Sequence, residues 1–363
     1  MDIKVREEYL QLAKKLHREN PVVDAHLDLA GEILLRRRAG ETEIIKSYYL
    51  DNWQSAGIKL IFSSIYVPTR VIDELGTEGA WEDALKQIEA LKADCINLPE
   101  IFFVTGKKDL KLLKQENRIG ILIYMEGLDC IGTDKERLFF LHKLGVRGAS
   151  LTWSRDNALA RGCCKAGEYR QVTGGLTELG KEVVKEMEKM SWFLDVSHLN
   201  DDGFEDIVSI TESPFLATHS CSKTVYDNYR NLTDEQMGKL AAKGGVMGIN
   251  GCRLITGSQS GNHLEMLCRH AEYEVQKIGA EHVGFGFDLC DSYDRAEFKL
   301  RSKEDKELQL PKSADCFLHH GQIPLFTAAL LQRGMSKEDV VMIMGGNFLR
   351  YLQEILPEET STW

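Results

Sequence analysis

Eight short apolar runs, each followed by a segment of helical spacing, constrain this 363-residue chain more than any other feature. The runs lie within 21–30 and at 60–67, 119–127, 146–153, 192–198, 214–220, 244–250 and 282–288. Helical patterns fill 4–19, 79–98, 133–144, 175–190, 201–210, 232–243 and 262–279, with helix and loop over 31–56 and closing helices at 323–333 and 336–354. Several runs, such as IGILIYMEG, are continuously apolar rather than alternating, which is the mark of strands buried on both faces of a parallel sheet. Eight β/α units predict a closed (β/α)8 barrel of the TIM type, one catalytic domain spanning 1–363. An open dinucleotide-binding sheet is disfavoured, because no G-x-G-x-x-G follows the first strand. Residues 289–322 are polar and aperiodic and read as a long loop after the eighth strand.

A formal charge of −11 argues against nucleic acid or an anionic membrane surface as the main partner, since both select basic patches. No window carries about 18 apolar residues without charge, so no membrane span is expected. The first twenty residues, MDIKVREEYLQLAKKLHREN, lack the apolar core of a secretory signal. Nine cysteines, an odd number without C-x-x-C spacing, read as reduced thiols. Together these features lead to the expectation of a cytoplasmic protein. A homodimer is compatible with such a barrel, though the sequence does not establish one.

The chemistry lies at the ends of the runs. His26 and Asp28 stand two apart, a spacing that puts both on one face of an extended strand. Glu126 ends the third run, His198 the fifth, His219 the sixth and Asp288 the eighth. In a barrel these ends meet at the C-terminal face, where active sites of the fold sit. Imidazole and carboxylate donors without thiolate suit Zn²⁺, with Mn²⁺, Fe²⁺ and Co²⁺ as competitors. Three histidines with two or three carboxylates exceed the needs of one four-coordinate ion. Two ions sharing a carboxylate would suit metal-assisted hydrolysis. Arg230, in the segment HSCSKTVYDNYRNLTDEQM after the sixth run, could clamp a substrate carboxylate through its guanidinium fork. His319 and His320 are flagged as lid residues.

The ordered set VVDAHLDL, MEG, LDVSH, THS with YRNLTDEQM, HVGFGFD and GGNFLR resembles the membrane (renal) dipeptidase family of zinc peptidases, in the amidohydrolase superfamily. The resemblance spans residues 22–350. It implies a binuclear zinc centre in which His26 and Asp28 hold one ion, His198 and His219 the other, and Glu126 bridges them. It further implies that Arg230 binds the carboxylate of a dipeptide's C-terminal residue and that Asp288 moves the proton of the attacking water to the leaving amine. Family members cleave dipeptides, often with a C-terminal D-residue. The chain departs from vertebrate members in two places. Strand 4 closes on LTWSRDN, with Trp153 where they carry a histidine, which leaves Asn157 as a substitute contact to substrate. After strand 7 it reads Asn250-Gly251-Cys252-Arg253 where they carry an aromatic residue.

Two other readings compete. Deaminases and cyclic-amide hydrolases of the superfamily typically open with H-x-H and bridge their metals with a strand-4 lysine. This chain has H-x-D and no lysine there. A barrel that binds a ligand without turnover is the alternative outside enzymes.

Overall fold

The structure, a computed structural model, describes residues 2–164, 172–259, 261–303, 305–306, 308–310 and 312–358. Its frame is a sheet of nine parallel strands: β1 (Val22–Leu27), β2 (Ile58–Tyr66), β3 (Ile101–Phe103), β4 (Ile119–Glu126), β5 (Val146–Ser150), β6 (Phe193–Asp195), β7 (Leu216–Ser220), β8 (Val246–Ile249) and β9 (Val283–Phe285). The hydrogen-bonded order is β1-β2-β4-β5-β6-β7-β8-β9, with β3 attached outside this path to β4. Eight strands thus curl into a nearly closed TIM-type (β/α)8 barrel with helices between them. A side chain spans the seam between the first and last strands: Asp24 Oδ1 accepts the Phe287 amide at 2.8 Å, and Asp24 Oδ2 accepts from His320 Nε2 at 2.9 Å.

Strand pleating sorts the core. On β2 and β4, Leu60, Phe62, Leu122 and Tyr124 face the barrel interior with Phe193, and Phe348 and Tyr351 of the C-terminal helix Asn347–Ile355 close its lower end. The opposite faces of the same strands, including Ile61, Ile121 and Ile123, pack under the surrounding helices. Because residues two apart share a face, Glu126 stands directly above Tyr124 on the inner side of β4.

One strand has no run in the sequence to announce it, and two expectations need correction. The three-residue strand β3 lies in a stretch that carries too few residues to show a period. Residues 289–322 are not one long loop, since Asp291–Arg301 is a helix. It has few apolar residues of its own and is docked instead by partners on the helix Leu29–Arg38. Ser292 Oγ donates to Glu32 Oε1 at 2.7 Å, Arg36 donates to the Ser292 carbonyl at 3.2 Å, and Tyr293 lies so close to Gly31 that a β-carbon there would fall 2.9 Å from its ring. His320 is buried against Asp24 rather than placed in a lid.

Candidate metal centre

His26, Asp28, Glu126, His198, His219 and Asp288 converge at the C-terminal mouth of the barrel. Each arrives by a different local device. His26 is the penultimate residue of β1, whereas Asp28 is not on the strand at all: β1 stops at Leu27, and Asp28 is the turn residue that opens the helix Leu29–Arg38. The two still face each other, with His26 Nε2 3.8 Å from Asp28 Oδ1. Glu126 and His219 project from β4 and β7. His198 and Asp288 each lie three residues past the last residue of their strand, and both backbones turn left-handed, at φ 70° and φ 53°. Non-glycine residues take that conformation rarely, and it is concentrated where a side chain must be aimed.

Glu126 is the hub. Its Oε1 lies 2.8 Å from His198 Nε2 and 3.4 Å from His219 Nε2, while its Oε2 faces His26 Nε2 at 3.9 Å. One carboxylate therefore addresses two groups of donors, His198 with His219 on one side and His26 with Asp28 on the other. Asp288 Oδ1 sits 3.4 Å from His26 Nε2, and its Oδ2 accepts from Asn250 Nδ2 at 3.0 Å.

The three histidines share one orientation. The Nδ1 of His26 meets the Tyr124 hydroxyl, that of His198 the Ser154 hydroxyl at 2.7 Å, and that of His219 the Thr218 hydroxyl at 2.8 Å. Every Nε2 is left pointing into the centre, as metal-binding imidazoles are normally held from behind. His198 Nε2 and His219 Nε2 lie only 2.9 Å apart. Burial, reinforced by Arg230 and His26, keeps both rings well below the ordinary histidine range and hence neutral. Burial, with Asp28 and Asp288 alongside, drives Glu126 well above the carboxylate range, and burial likewise raises Asp28. Neutral imidazole donors converging on three carboxylates, with Arg230 the guanidinium that acts on Glu126, form a donor set that fits divalent cations.

Around these donors lies a cavity of about 440 Å³. That volume falls within the usual range for small-molecule sites. Arg230 lines it, buried and donating to the His219 carbonyl at 3.2 Å. Its loop is fixed by Asn228 and Asn231: the Arg230 amide donates to Asn228 Oδ1 at 2.9 Å, and Asn231 Nδ2 reaches the Tyr226 carbonyl at 2.9 Å. Trp153 forms a wall, stacked on His198 with ring centres 5.5 Å apart and beside Tyr66 at 5.4 Å. Cys252 lines the cavity after β8, and Asp294 and Glu297 enter from the helix Asp291–Arg301.

Asn157 is not among the lining residues. Its amide donates to the Leu151 carbonyl at 2.8 Å and its oxygen accepts the amides of Leu159 and Ala160, so both ends are consumed in folding its own loop. The supporting hydroxyls of Tyr124, Ser154 and Thr218 escaped sequence reasoning. Tyr124 had a signal, since it lies two residues before Glu126 on the same strand face.

The strand-end donors and enclosing cavity define a barrel metallohydrolase. The sequence profile of the membrane dipeptidase family (peptidase family M19) matches residues 10–305, and the chain belongs to that family. It is 25% identical over 370 residues to Dipeptidase 3 of Mus musculus, an alignment covering 98% of this chain and 67% of that protein. It is 30% identical over 247 residues to Dipeptidase verJ of Clonostachys rogersoniana, covering 68% of this chain and 58% of that one. Thus it spans about two thirds or less of the length of these relatives. Among solved structures, dipeptidase AC, a metallopeptidase of family M19, superposes with a TM-score of 0.78 at 25% identity, covering 93% of this chain and 99% of the other. A metallopeptidase from Rhodobacter sphaeroides, liganded with a phosphinate mimic of the dipeptide L-Ala-D-Ala, shares the fold with a TM-score of 0.76 at 24% identity, covering 93% and 99%. Family membership makes the chain a metal-dependent dipeptidase.

Proposed function

We propose that the centre holds two Zn²⁺ ions, with Mn²⁺ or Co²⁺ as substitutes, and that the protein hydrolyses the peptide bond of dipeptides, including those with a C-terminal D-residue. The observation that carries this reading is the division of Glu126, one oxygen toward His198 and His219 and the other toward His26. His26 and Asp28 would hold one ion, His198 and His219 the second, with Glu126 between them. When bound, such ions supply Lewis acidity to the peptide carbonyl and acidify a water.

The chain's own groups do the rest. Arg230, buried at the cavity wall, pairs with the substrate's terminal carboxylate and sets the register of the peptide bond. Asp288, 19% exposed, takes the proton of the attacking water and delivers it to the leaving amine. Asn250 holds that carboxylate in place through its amide at 3.0 Å. Trp153 and Tyr66 shield the centre from bulk water. A cytoplasmic setting is supported by the nine cysteines, all unpaired. Among the described residues no helix is long and apolar enough to cross a membrane.

A panel of L,L and L,D dipeptides assayed with zinc, manganese and cobalt tests the reading. Hydrolysis that is lost on chelation and in Glu126→Gln is expected. Tight dipeptide binding without turnover would instead favour a non-catalytic barrel, and turnover of cyclic amides alone would favour another hydrolase of the superfamily.

A further inference from the structure

Outside the cavity lining, where the end of β7 meets the helix His263–Ile278, lies a second group of ligand-type side chains. Cys221, His270 and Glu274 offer a sulfur, a ring nitrogen and a carboxylate oxygen that all lie within 4.8 Å of one another, and all three residues are fully buried. His270 and Glu274 are four apart on the helix His263–Ile278, so both project from one face toward Cys221, just past the end of β7.

Three observations indicate that this is more than tight packing. Glu274 is 0% exposed, and its carboxylate oxygens have no hydrogen-bond partner beyond a weak approach from the Ser222 amide. A buried carboxyl group left this way is costly unless it is neutralised or bound to a cation. His270 donates from Nε2 to the Thr256 carbonyl at 3.1 Å, which leaves Nδ1 as the acceptor nitrogen, 3.9 Å from Glu274 Oε1. This back-side bond from ring nitrogen to carbonyl is how metal-binding histidines are held. The Ser222 amide donates to Nδ1 at 3.3 Å and also faces Glu274, a bond that a cation at Nδ1 would displace, and the Ser222 hydroxyl is buried without a partner.

We propose that Cys221, His270 and Glu274 form a separate structural site for one zinc-class transition cation. A thiolate, an imidazole and a carboxylate select borderline cations over Ca²⁺ or Mg²⁺. Three protein donors leave the fourth position for a water or the Ser222 hydroxyl, and the thiol proton leaves to solvent as sulfur coordinates. The site ties the helix His263–Ile278 to a residue two beyond His219, clamping the end of β7. The inference stands apart from the reading of the catalytic centre, whose candidate donors carry no sulfur.

Cobalt substitution of the full-length protein distinguishes the two. With Co²⁺ loaded, the wild-type protein is expected to show a near-ultraviolet thiolate-to-cobalt charge-transfer band. Cys221→Ser removes the band and one metal equivalent per chain, Glu274→Gln also loses one equivalent, and Cys290→Ser keeps the band. The absence of the band in wild type would overturn the proposal without recourse to any variant. So would its persistence in Cys221→Ser, its loss only in Cys290→Ser, or unchanged metal content in Glu274→Gln. If Cys221→Ser does not fold, Cys221→Ala and Glu274→Gln carry the comparison.

Discussion

Thr218 Oγ1 donates its single proton to Asp195 Oδ2 at 2.6 Å, so toward the adjoining His219 Nδ1, 2.8 Å away, it can act only as an acceptor. The tautomer of His219 is thereby fixed from two residues away: Nδ1 carries the proton and Nε2 presents its lone pair to the centre. Asp195 is itself held by the amides of Ser197 and Thr218 at 3.0 and 2.9 Å. Thr218→Val should therefore weaken metal binding by about 10- to 100-fold, the usual cost of losing a partner behind a ligand. Competition with a calibrated chelator measures this, and unchanged affinity would remove the relay from the account.

Arg230 should reveal itself in KM. A charge-assisted hydrogen bond contributes about 1.5–3 kcal/mol, so Arg230→Met should raise KM for dipeptides by about 10- to 100-fold with a much smaller change in kcat. Arg230→Lys should fall between, because an ammonium keeps the charge but loses the planar fork. Steady-state kinetics on one good substrate decides the matter. A loss confined to kcat would place Arg230 in another role.

Asp294 should make substrate binding depend on pH. Burial, then Glu297 and other acids nearby, push its carboxyl up to about 6. As pH rises through that value the cavity gains a negative charge, and a dipeptide's ammonium end should bind more tightly. KM is expected to fall between pH 5 and 7 in the wild type and to stay flatter in Asp294→Asn. Equal slopes for the two would show that another group governs binding in this range.

A separate pH effect falls on stability. His17 is buried, with Nδ1 on the Ala56 carbonyl at 2.6 Å and Nε2 on Thr327 Oγ1 at 2.8 Å, and burial lowers it to about 4. Since the folded value lies below the unfolded one of 6.5, the stabilisation is complete above pH 6.5 and is lost as pH falls toward 4. A fall from 6.5 to about 4 corresponds to about 3 kcal/mol. His17→Gln should lose less stability than wild type over that window in denaturant titrations. A decline as steep as that of the wild type would show that the acid sensitivity originates elsewhere.

The barrel and the convergence of its polar ends could be read from the chain because both follow from periodicity. Apolar runs give the strands, and the residue that closes a run lands on the rim, as with Glu126 and His219. Where a ligand-type residue leaves the strand, that logic blurs: Asp28, His198 and Asp288 are aimed by turns rather than by the pleat. Partners from distant segments were invisible for a different reason. Nothing local marks Thr218 or Ser154 as the support of a histidine, and the helix Asp291–Arg301 gains its burial from Gly31, Glu32 and Arg36 rather than from an apolar stripe of its own. Asn157 misled because a polar residue after the fourth run, β5 of the structure, looks the same whether it faces a ligand or folds its own loop.

The most direct examination of the central claim is anomalous diffraction at the zinc edge from crystals of the zinc-loaded protein. Two peaks are expected at the mouth of the barrel, one beside each carboxylate oxygen of Glu126, among His26 and Asp28 on one side and His198 and His219 on the other. A mouth without peaks, or a single peak that leaves one Glu126 oxygen uncoordinated, would contradict it.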